Sequence, residues 1–440
     1  MAEIPEPTAS ARRGGILVLL EGGAGELRSG PEIRGWELAR ALARRMPVTV
    51  AVEGAAGAGH EAGLRVVPRR RAGLIREAAA HDAVLAPWVP AYLLAGLARP
   101  GTLTVADLYD PVEAEGASLG ADSDRQFLES ARRARAMQLR FADVILCASE
   151  PQRRALEGEL AGLRAGRGDP AVLLVPFGIG ADPPEAGRRP LRSAFPAIAE
   201  DDPVVLWWGS IWRWMDAETA IRAVARAAER RPGMRLVITA GRPPRANAAG
   251  LGATREARAL AKELGLLDRV VFFVDDWIPY DERHEYLLEA DVGIALHRHP
   301  SEAELSVRAR TMDFLWARLP CVLGEGTELG ERFATAGFAR EVAVGDVEGA
   351  CAALVELVDD AGGARRARTA AAGLVPSYRW EVVTRPLAEL LEGTDGRPPA
   401  RRGGGFAAAA GAFGYYAQRA RHEAAWLARG RINPRGQAGA

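Results

Sequence analysis

The sequence predicts an α/β protein that is built from two successive parallel-sheet units. Short apolar runs alternate with helical patterns up to about residue 180, and this alternation is typical of parallel strands covered by helices on both faces. Residues 180–203 are rich in Gly, Pro and charge, and the alternation starts again after them. A length of 440 residues suits two such domains better than one core.

The first unit, predicted at residues 14–180, is recognised by its continuous apolar runs. We expect strands at ILVLL (16–20), VTVAV (48–52), AVLAPW (83–88), LTVADLYDP (103–111), DVILCASE (143–150) and AVLLVPFGI (171–179). Helical patterns lie between several of these runs. Pro31, after Ser29 and Gly30, marks the start of one helix.

The second unit, predicted at residues 200–376, repeats the pattern. We expect strands at PVVLWWGS (203–210), MRLVITAG (234–241), RVVFFVDDW (269–277), DVGIAL (291–296) and PCVLGE (320–325). Helical periodicity predicts helices at residues 217–231, 253–265, 281–290, 310–319 and 347–360.

Two further segments follow the second unit. Residues 377–392 predict a helix, which we expect to pack back on the first unit. Residues 393–440 begin as a Gly- and Pro-rich linker and continue as an Ala- and Arg-rich tail. Within the tail, residues 406–431 predict a helix with two interpretations: an amphipathic helix in peripheral contact with the inner face of a membrane or with a partner, or a solvated extension.

Charge and cysteine content exclude several classes of protein. The 57 basic and 57 acidic residues cancel, so no basic excess favours nucleic acid. The three cysteines, Cys147, Cys321 and Cys351, are too sparse for a disulfide framework or a zinc site. The polar N-terminus has no apolar signal-peptide core. These features predict a cytoplasmic protein without a bound metal.

Several segments together resemble family 4 glycosyltransferases, in that family's order and over about residues 16–392. They are SGPEIRGWELARALARR (29–45), LTVADLYDP (103–111), DVILCASEPQRR (143–154), WWGSIWRWMD (207–216), RVVFFVDDWIPYDERHEYLLEADVGIAL (269–296), RTMDFLWARLPCV (310–322) and YRWEVVTRPLAELLE (378–392). None of them is diagnostic by itself, but their ordered sum is specific.

The resemblance implies the GT-B fold, in which two Rossmann-like domains face each other across a cleft, here with a C-terminal helical extension. It also implies a hexosyltransferase-type glycosyltransferase of carbohydrate biosynthesis that retains anomeric configuration. The nucleotide-sugar donor would bind to the second domain. The acceptor, a glycan, a lipid or a small molecule, would bind to the first, and no cofactor or metal would be required.

The turn after the first strand of the second domain is the expected site of the donor diphosphate. Gly209 and Ser210 end this strand, and a glycine there lets the backbone approach phosphate. Many family members carry an Arg and a Lys after this glycine, whereas Ser210 and Met215 occupy those positions here. We expect other arginines to stabilise the leaving phosphate. The candidates are Arg213, Arg308 and Arg310, the last two being catalytic candidates.

A second departure from the family concerns its acidic motif. Many members have Glu-x7-Glu, and the later carboxylate binds the donor ribose. The corresponding position is Asp313, but the residue eight before it is Leu305. Glu302 and Glu304 lie close enough to reach the donor sugar if the loop shifts. The resemblance thus implies donor binding by Asp313 together with Glu302 or Glu304.

Aromatic residues near the same turn suggest a pocket for sugar and base. WWGSIWRW places four tryptophans in eight residues, of which Trp212 is a pocket candidate. Trp277 follows a strand where the resemblance implies contact with the nucleotide base. His297 ends another strand at the sheet edge where ligands gather. It is interpreted either as a donor contact or as an ordinary loop histidine.

Acidic residues after strands of the first domain are the candidates for the acceptor side. Asp107 and Asp110 of DLYDP follow a predicted strand, and one of them could act as a base on an acceptor hydroxyl. Glu150 ends another strand, and Gly30 opens the first helix, whose N-terminus we expect to face the cleft.

Three other functions are alternatives for this sequence. A nicotinamide- or flavin-dependent oxidoreductase is disfavoured because the glycines at 23, 25 and 30 do not form G-x-G-x-x-G. A sugar-nucleotide epimerase keeps the fold but fits the segments less well. A degenerate pseudoenzyme, acting as a binding or partner protein, would explain the altered motifs.

Overall fold

The computed structural model describes most of the first 393 residues. The described residues are 14–20, 29–53, 59–61, 63–69, 71–87, 102–117, 125–162, 170–185, 187–241 and 248–393. The predicted tail helix at 406–431 therefore lies outside the described residues, as does most of the predicted segment 393–440.

The first sheet has eight strands among the described residues. Its strands are β1 (Ile16–Leu19), β2 (Val48–Val52), β3 (Gly59–Glu61), β4 (Leu64–Pro68), β5 (Ala83–Ala86), β6 (Leu103–Asp107), β7 (Val144–Cys147) and β8 (Ala171–Leu174). Their order is β3-β4-β2-β1-β5-β6-β7-β8. Each described pair is parallel except β3 with β4. The chain order therefore reverses between β1 and β5, where open sheets of this type bind ligands.

Helices cover this sheet on both faces. They are α1 (Gly30–Ala43), α2 (Arg71–Ala80), α3 (Val112–Ala117), α4 (Arg125–Phe141) and α5 (Glu150–Gly162). The central strands β1, β2, β5, β6 and β7 are buried along their whole length, which explains why they read as continuous apolar runs.

The second sheet has six strands, all parallel. They are β9 (Val204–Trp207), β10 (Arg235–Thr239), β11 (Val271–Val274), β12 (Val292–Ala295), β13 (Cys321–Gly324) and β14 (Ala339–Val342). Their order, β11-β10-β9-β12-β13-β14, is the 3-2-1-4-5-6 order of a Rossmann domain. The order reverses between β9 and β12, so the loops after these two strands border the expected ligand position.

The helices of the second half lie around and after this sheet. They are α6 (Pro190–Ala194), α7 (Ala217–Arg230), α8 (Ala248–Glu263), α9 (Arg283–Glu289), α10 (Pro300–Leu305), α11 (Ala309–Trp316), α12 (Glu328–Thr335), α13 (Val347–Asp359), α14 (Ala361–Tyr378), α15 (Trp380–Val383) and α16 (Arg385–Gly393). None of the described helices is long and apolar enough to cross a membrane.

The end of the described chain contacts the first domain. The backbone of Ile179 accepts from Trp380 N at 3.1 Å and donates to Tyr378 O at 2.8 Å. The ring of Trp380 lies 5.2 Å from that of Phe177, and Leu387 is fully buried. Since the ion pairs here are partly exposed, this apolar contact supplies most of the attraction.

The predicted α/β class is confirmed, while several element limits differ from the prediction. The helix predicted at 310–319 spans Ala309–Trp316, because Arg318 adopts a left-handed conformation with φ of 52° and ends it. The helix predicted at 377–392 is split into α15 and α16. Before it, α14 runs past the predicted domain limit at 376 to Tyr378, and extended Arg379 separates α14 from α15.

Candidate active site

A cavity of about 490 Å³ lies between the two domains, at the carboxyl ends of both sheets. Its first wall comes from the start of α1 and the loop that joins β6 to α3. Its second wall comes from the loops after β9 and β11 and from the start of α11. Both domains therefore contribute to one cleft of the size that small-molecule sites have.

Two helix N-termini meet in this cavity. Helix α1 begins after Ser29, whose backbone N–H and hydroxyl both donate to Glu32 Oε2, at 2.7 and 2.9 Å. A Cβ placed on Gly30 would lie 4.0 Å from the Cβ of Ala309, the first residue of α11. The positive ends of the two helix dipoles thus face the same space, which favours an anion there.

The turn after β9 has the glycine geometry that the sequence predicts. Gly209 has φ of 82°, a conformation that a residue with a Cβ adopts only with strain. Its N–H donates to Thr239 Oγ1 at 2.7 Å. Ser210 is buried, and its hydroxyl donates to Gly241 O at 3.4 Å. The hydroxyl therefore faces the backbone of the neighbouring loop, and the turn is held rigidly.

Arg310 lies directly against this turn. Its Nη2 donates to Ser210 O at 2.6 Å, and a Cβ on Gly209 would lie 3.7 Å from Nη2. The side chain is buried and lines the cavity, and Nη1 has no hydrogen-bond partner among the described residues. Burial lowers the pKa of Arg310 to about 9, so the group is still cationic at neutral pH. A buried cation with a vacant donor is matched by an anionic ligand.

Arg308 and Glu302 form a buried pair beside Arg310. Arg308 Nη2 donates to Glu302 Oε2 at 2.6 Å, and the hydroxyl of Ser306 donates to Glu302 Oε1. Glu302 is 1% exposed and does not line the cavity, whereas Arg308 does. Glu302 therefore orients Arg308 instead of reaching the cavity itself.

Asp313 lies on the cavity wall with both oxygens engaged. Trp208 Nε1 donates to Oδ2 at 2.9 Å and Arg283 Nε donates to Oδ1 at 3.2 Å. Arg283 is itself stacked, with its guanidinium 3.8 Å from the ring centre of Tyr280 and 3.9 Å from that of Trp316. Burial raises the pKa of Asp313, and the charge of Arg283 opposes this rise.

Aromatic side chains line the rest of the second wall. The rings of Trp212 and Trp214 are stacked, with centres 5.3 Å apart and planes 1° from parallel. Trp277 also lines the cavity. A Cβ on Gly241 would lie 2.2 Å from Asp276 O, so this glycine lets the loop that holds Trp277 pack against the end of β10.

Two carboxyl groups of the first domain face the cavity. Asp110 follows β6, and Glu115 lies on α3. Burial raises the pKa of Asp110 to about 6. The negative charges of Asp107 and Glu302 add to this rise, and the positive charge of Arg308 opposes it. Burial also raises the pKa of Glu115 well above its ordinary value, and Asp110 adds to this rise. At neutral pH, Asp110 is therefore mostly ionised, with a pKa near enough to the working pH to suit proton transfer.

Six of the predicted site residues do not line the cavity. Asp107 accepts two hydrogen bonds from buried Arg34, from Nε at 2.8 Å and from Nη2 at 3.0 Å. His297 is buried against Glu325 O at 2.9 Å, and burial lowers its pKa to about 4. Glu302, described above, is the third. Arg213 faces Glu256, and Glu150 pairs with Arg153. Glu304 is exposed.

Gln152 joins the two walls. Its Nε2 donates to Tyr109 O at 2.6 Å and to Leu305 O at 2.5 Å, and its Oε1 accepts from Ala148 N at 2.7 Å. The loop before Asp110 and the loop before Arg308 are thus held by one buried amide. This contact fixes the relative position of the two walls in the described structure.

Several residues that line the cavity were not predicted from the sequence, among them the charged residues Arg283 and Glu115. Both lie on helices that follow a strand-end loop, after WIPY and after DLYDP. A charged residue in the first turns of a helix at the carboxyl edge of a parallel sheet was the available signal.

No protein-family profile matches the chain, and no curated protein sequence matches it significantly. Solved structures do match. Sucrose-phosphate synthase from Thermosynechococcus elongatus has a TM-score of 0.64 at 18% identity, over 86% of this chain and 98% of that chain. HepE from Anabaena, in complex with UDP-glucose, has a TM-score of 0.63 at 17% identity, over 86% and 99%. A trehalose-phosphate synthase from Burkholderia xenovorans, in complex with glucose-6-phosphate, has a TM-score of 0.62 at 13% identity, over 86% and 100%.

These structural neighbours are GT-B glycosyltransferases. The two parallel sheets, each in the Rossmann order around its switch point, have the arrangement of that fold. The chain therefore has the GT-B fold that the sequence analysis expected. At these identities the similarity establishes the fold alone.

Proposed function

We propose that this chain is a glycosyltransferase that moves a sugar from a nucleotide diphosphate to an acceptor bound on the first domain. The observation that carries the proposal is the buried, vacant Nη1 of Arg310 at the meeting point of two helix N-termini. A diphosphate satisfies this donor and both helix dipoles at once. The complex of the structural neighbour HepE with UDP-glucose supports the choice of ligand.

The cavity wall suggests where each part of the donor binds. The diphosphate lies against Gly209, Arg308 and Arg310, and the base lies on Trp277. Asp313 is oriented by Trp208 and Arg283 and accepts from the ribose hydroxyls through its remaining lone pairs. The hexosyl group then points to the first wall, near Asp110.

The residues can perform the transfer without a cofactor. As the sugar–phosphate bond breaks, negative charge develops on the leaving diphosphate. Arg308, Arg310 and the start of α11 stabilise that charge in a closed site, where electrostatic interactions are strong. Asp110 accepts the proton of the acceptor hydroxyl. Attack on the same face that the diphosphate leaves gives retention of configuration.

A donor screen with the full chain tests the proposal. The protein is heated with UDP-, GDP-, dTDP- and ADP-linked sugars, and its unfolding temperature and the release of nucleoside diphosphate are measured. A donor at a hundred times its Kd adds about 2.7 kcal/mol of stability. We expect one nucleotide class to stabilise the protein, and its nucleoside diphosphate to be released as the sugar passes to an acceptor or, more slowly, to water. No stabilisation by any donor would contradict the proposal, and stabilisation without turnover on any acceptor would identify a binding protein instead.

A further inference from the structure

The charges on the first wall of the cavity do not balance. Among the described residues that line this wall, Glu32, Asp110 and Glu115 are acidic and none is basic. Glu32 is occupied by the cap of α1. Asp110 and Glu115 make no side-chain hydrogen bond within the described part of the chain, so both carboxyl groups are available to a ligand.

The nearest cation does not correct the imbalance. Arg308 lowers the pKa of both carboxyl groups, but its own closest partner is Glu302, at 2.6 Å, and Glu302 raises both. Asp107 is likewise neutralised by Arg34. In the described part of the chain, Asp110, Glu115 and Glu302 thus share the guanidinium of Arg308. Burial with so little positive charge nearby raises the pKa of Asp110 and of Glu115, and a cation bound beside them would favour their ionised forms.

The transfer reaction explains only one of the two free carboxyl groups. A hydroxyl acceptor needs a single base, and Asp110 fills that role in the proposed function. Glu115 is held in place from behind, since a Cβ on the next residue, Gly116, would lie 2.0 Å from Leu128 Cδ2. Helices α3 and α4 are therefore packed without a gap, and Glu115 is fixed at the wall with no other partner.

We propose that the acceptor is an amine-bearing molecule whose ammonium group pairs with Glu115, beside the base Asp110. Its apolar part would lie against Ile33, Val112 and Phe177, which line the same wall. An ammonium supplies the missing positive charge, whereas a phosphate or carboxylate would add a third anion. The inference rests on the proposed function, because it identifies the amine-bearing ligand as the acceptor of the transfer. The preferred charge of the ligand can nevertheless be measured by binding alone, without turnover.

Binding of three matched sugars tests the inference. Glucosamine, glucose and glucose 6-phosphate are titrated into the full chain near neutral pH, and their dissociation constants are compared. We expect glucosamine to bind about tenfold more tightly than glucose, as one buried charge-assisted pair provides, and glucose 6-phosphate to bind weakest. Glu115→Gln should remove most of the advantage of glucosamine over glucose.

Glu113→Gln is the matched control, because Glu113 lies on the same helix but does not line the main cavity. It should leave all three affinities unchanged. Asp110→Asn serves as a second variant if Glu115→Gln does not fold. Equal affinities, tightest binding of glucose 6-phosphate, or no binding of glucosamine would overturn the inference. UDP, GDP, dTDP and ADP are titrated in parallel. Nucleotide binding without a preference for the amine would contradict only this inference. A preference for the amine without nucleotide binding would contradict only the proposed function.

Discussion

Arg310 donates through Nη2 to the carbonyl oxygen of Ser210, while its Nη1 faces no hydrogen-bond acceptor among the described residues. The Nη2 bond is 2.6 Å long, and Nη1 is buried without a partner in the described structure. Arg310 thus both supports the turn after β9 and offers a cation to the cavity. In the sequence, this arginine stands 100 residues from the turn that it contacts.

The fork of Arg310 is expected to be essential for donor binding. Arg310→Lys keeps the charge but cannot bond Ser210 O and a phosphate in the same geometry. We expect the Kd for the selected nucleoside diphosphate to rise by about a hundredfold, or about 2.7 kcal/mol. Calorimetry measures this. Arg298→Lys, outside the cavity wall, is the control and should change little; equal affinities in the two variants would refute the role of Arg310.

Glu302 is expected to act only through Arg308. Their buried pair at 2.6 Å orients the guanidinium towards the cavity, so Glu302→Gln should weaken nucleotide binding. In an Arg308→Lys background, the same change should have little further effect. The coupling energy across the four proteins should be about 1–2 kcal/mol. Additive effects would show that Glu302 contacts the donor directly or acts by another route.

The rate of transfer is expected to depend on ionisation of Asp110. Because its folded-state pKa is raised from 3.8 to about 6, the base is protonated below this pH and ionised above it. The rate should therefore fall about tenfold per pH unit below pH 6 and level off above it. Asp110→Asn should remove this limb together with most of the activity. An unchanged acidic limb in the variant would assign the ionisation to another group.

A side chain at Gly209 is expected to weaken nucleotide binding in addition to straining the backbone. Gly209→Ala forces a Cβ onto a residue with φ of 82° and places it near Arg310. Gly326→Ala is a matched control, since Gly326 has φ of 92° with open space around it. Both should lose about 1 kcal/mol of stability. Nucleotide affinity should fall only in Gly209→Ala, and parallel losses in both would mean that strain alone is responsible.

The fold was predictable because most strands are buried on both faces and therefore read as apolar runs. Every strand expected from the sequence is present, with the predicted limits at β2 and shorter limits elsewhere. Three strands were not predicted: β3 reads GHE, β4 reads LRVVP and includes one exposed residue, and β14 reads AREV. These strands lie at or next to a sheet edge and are defined by pairing with a neighbour, as β14 pairs with β13, and a single sequence does not contain that information.

The candidate site was predictable only in part, because side-chain partners decide which charged residues reach the cavity. Gly209 and Trp277, which follow strands, line the cavity, as do Arg310 and Asp313 at the start of α11. Asp107 is as close to β6 as Asp110, yet Arg34, from α1, neutralises it. These outcomes depend on contacts between elements far apart in sequence, so spacing along the chain could not distinguish them.

The most direct test of the account is a crystal structure of the full chain with the nucleotide sugar that the donor screen selects. The account predicts a diphosphate oxygen within hydrogen-bond distance of Arg310 Nη1, at the N-termini of α1 and α11, with the base on Trp277. A donor bound elsewhere, or a diphosphate turned away from Arg310, would contradict it.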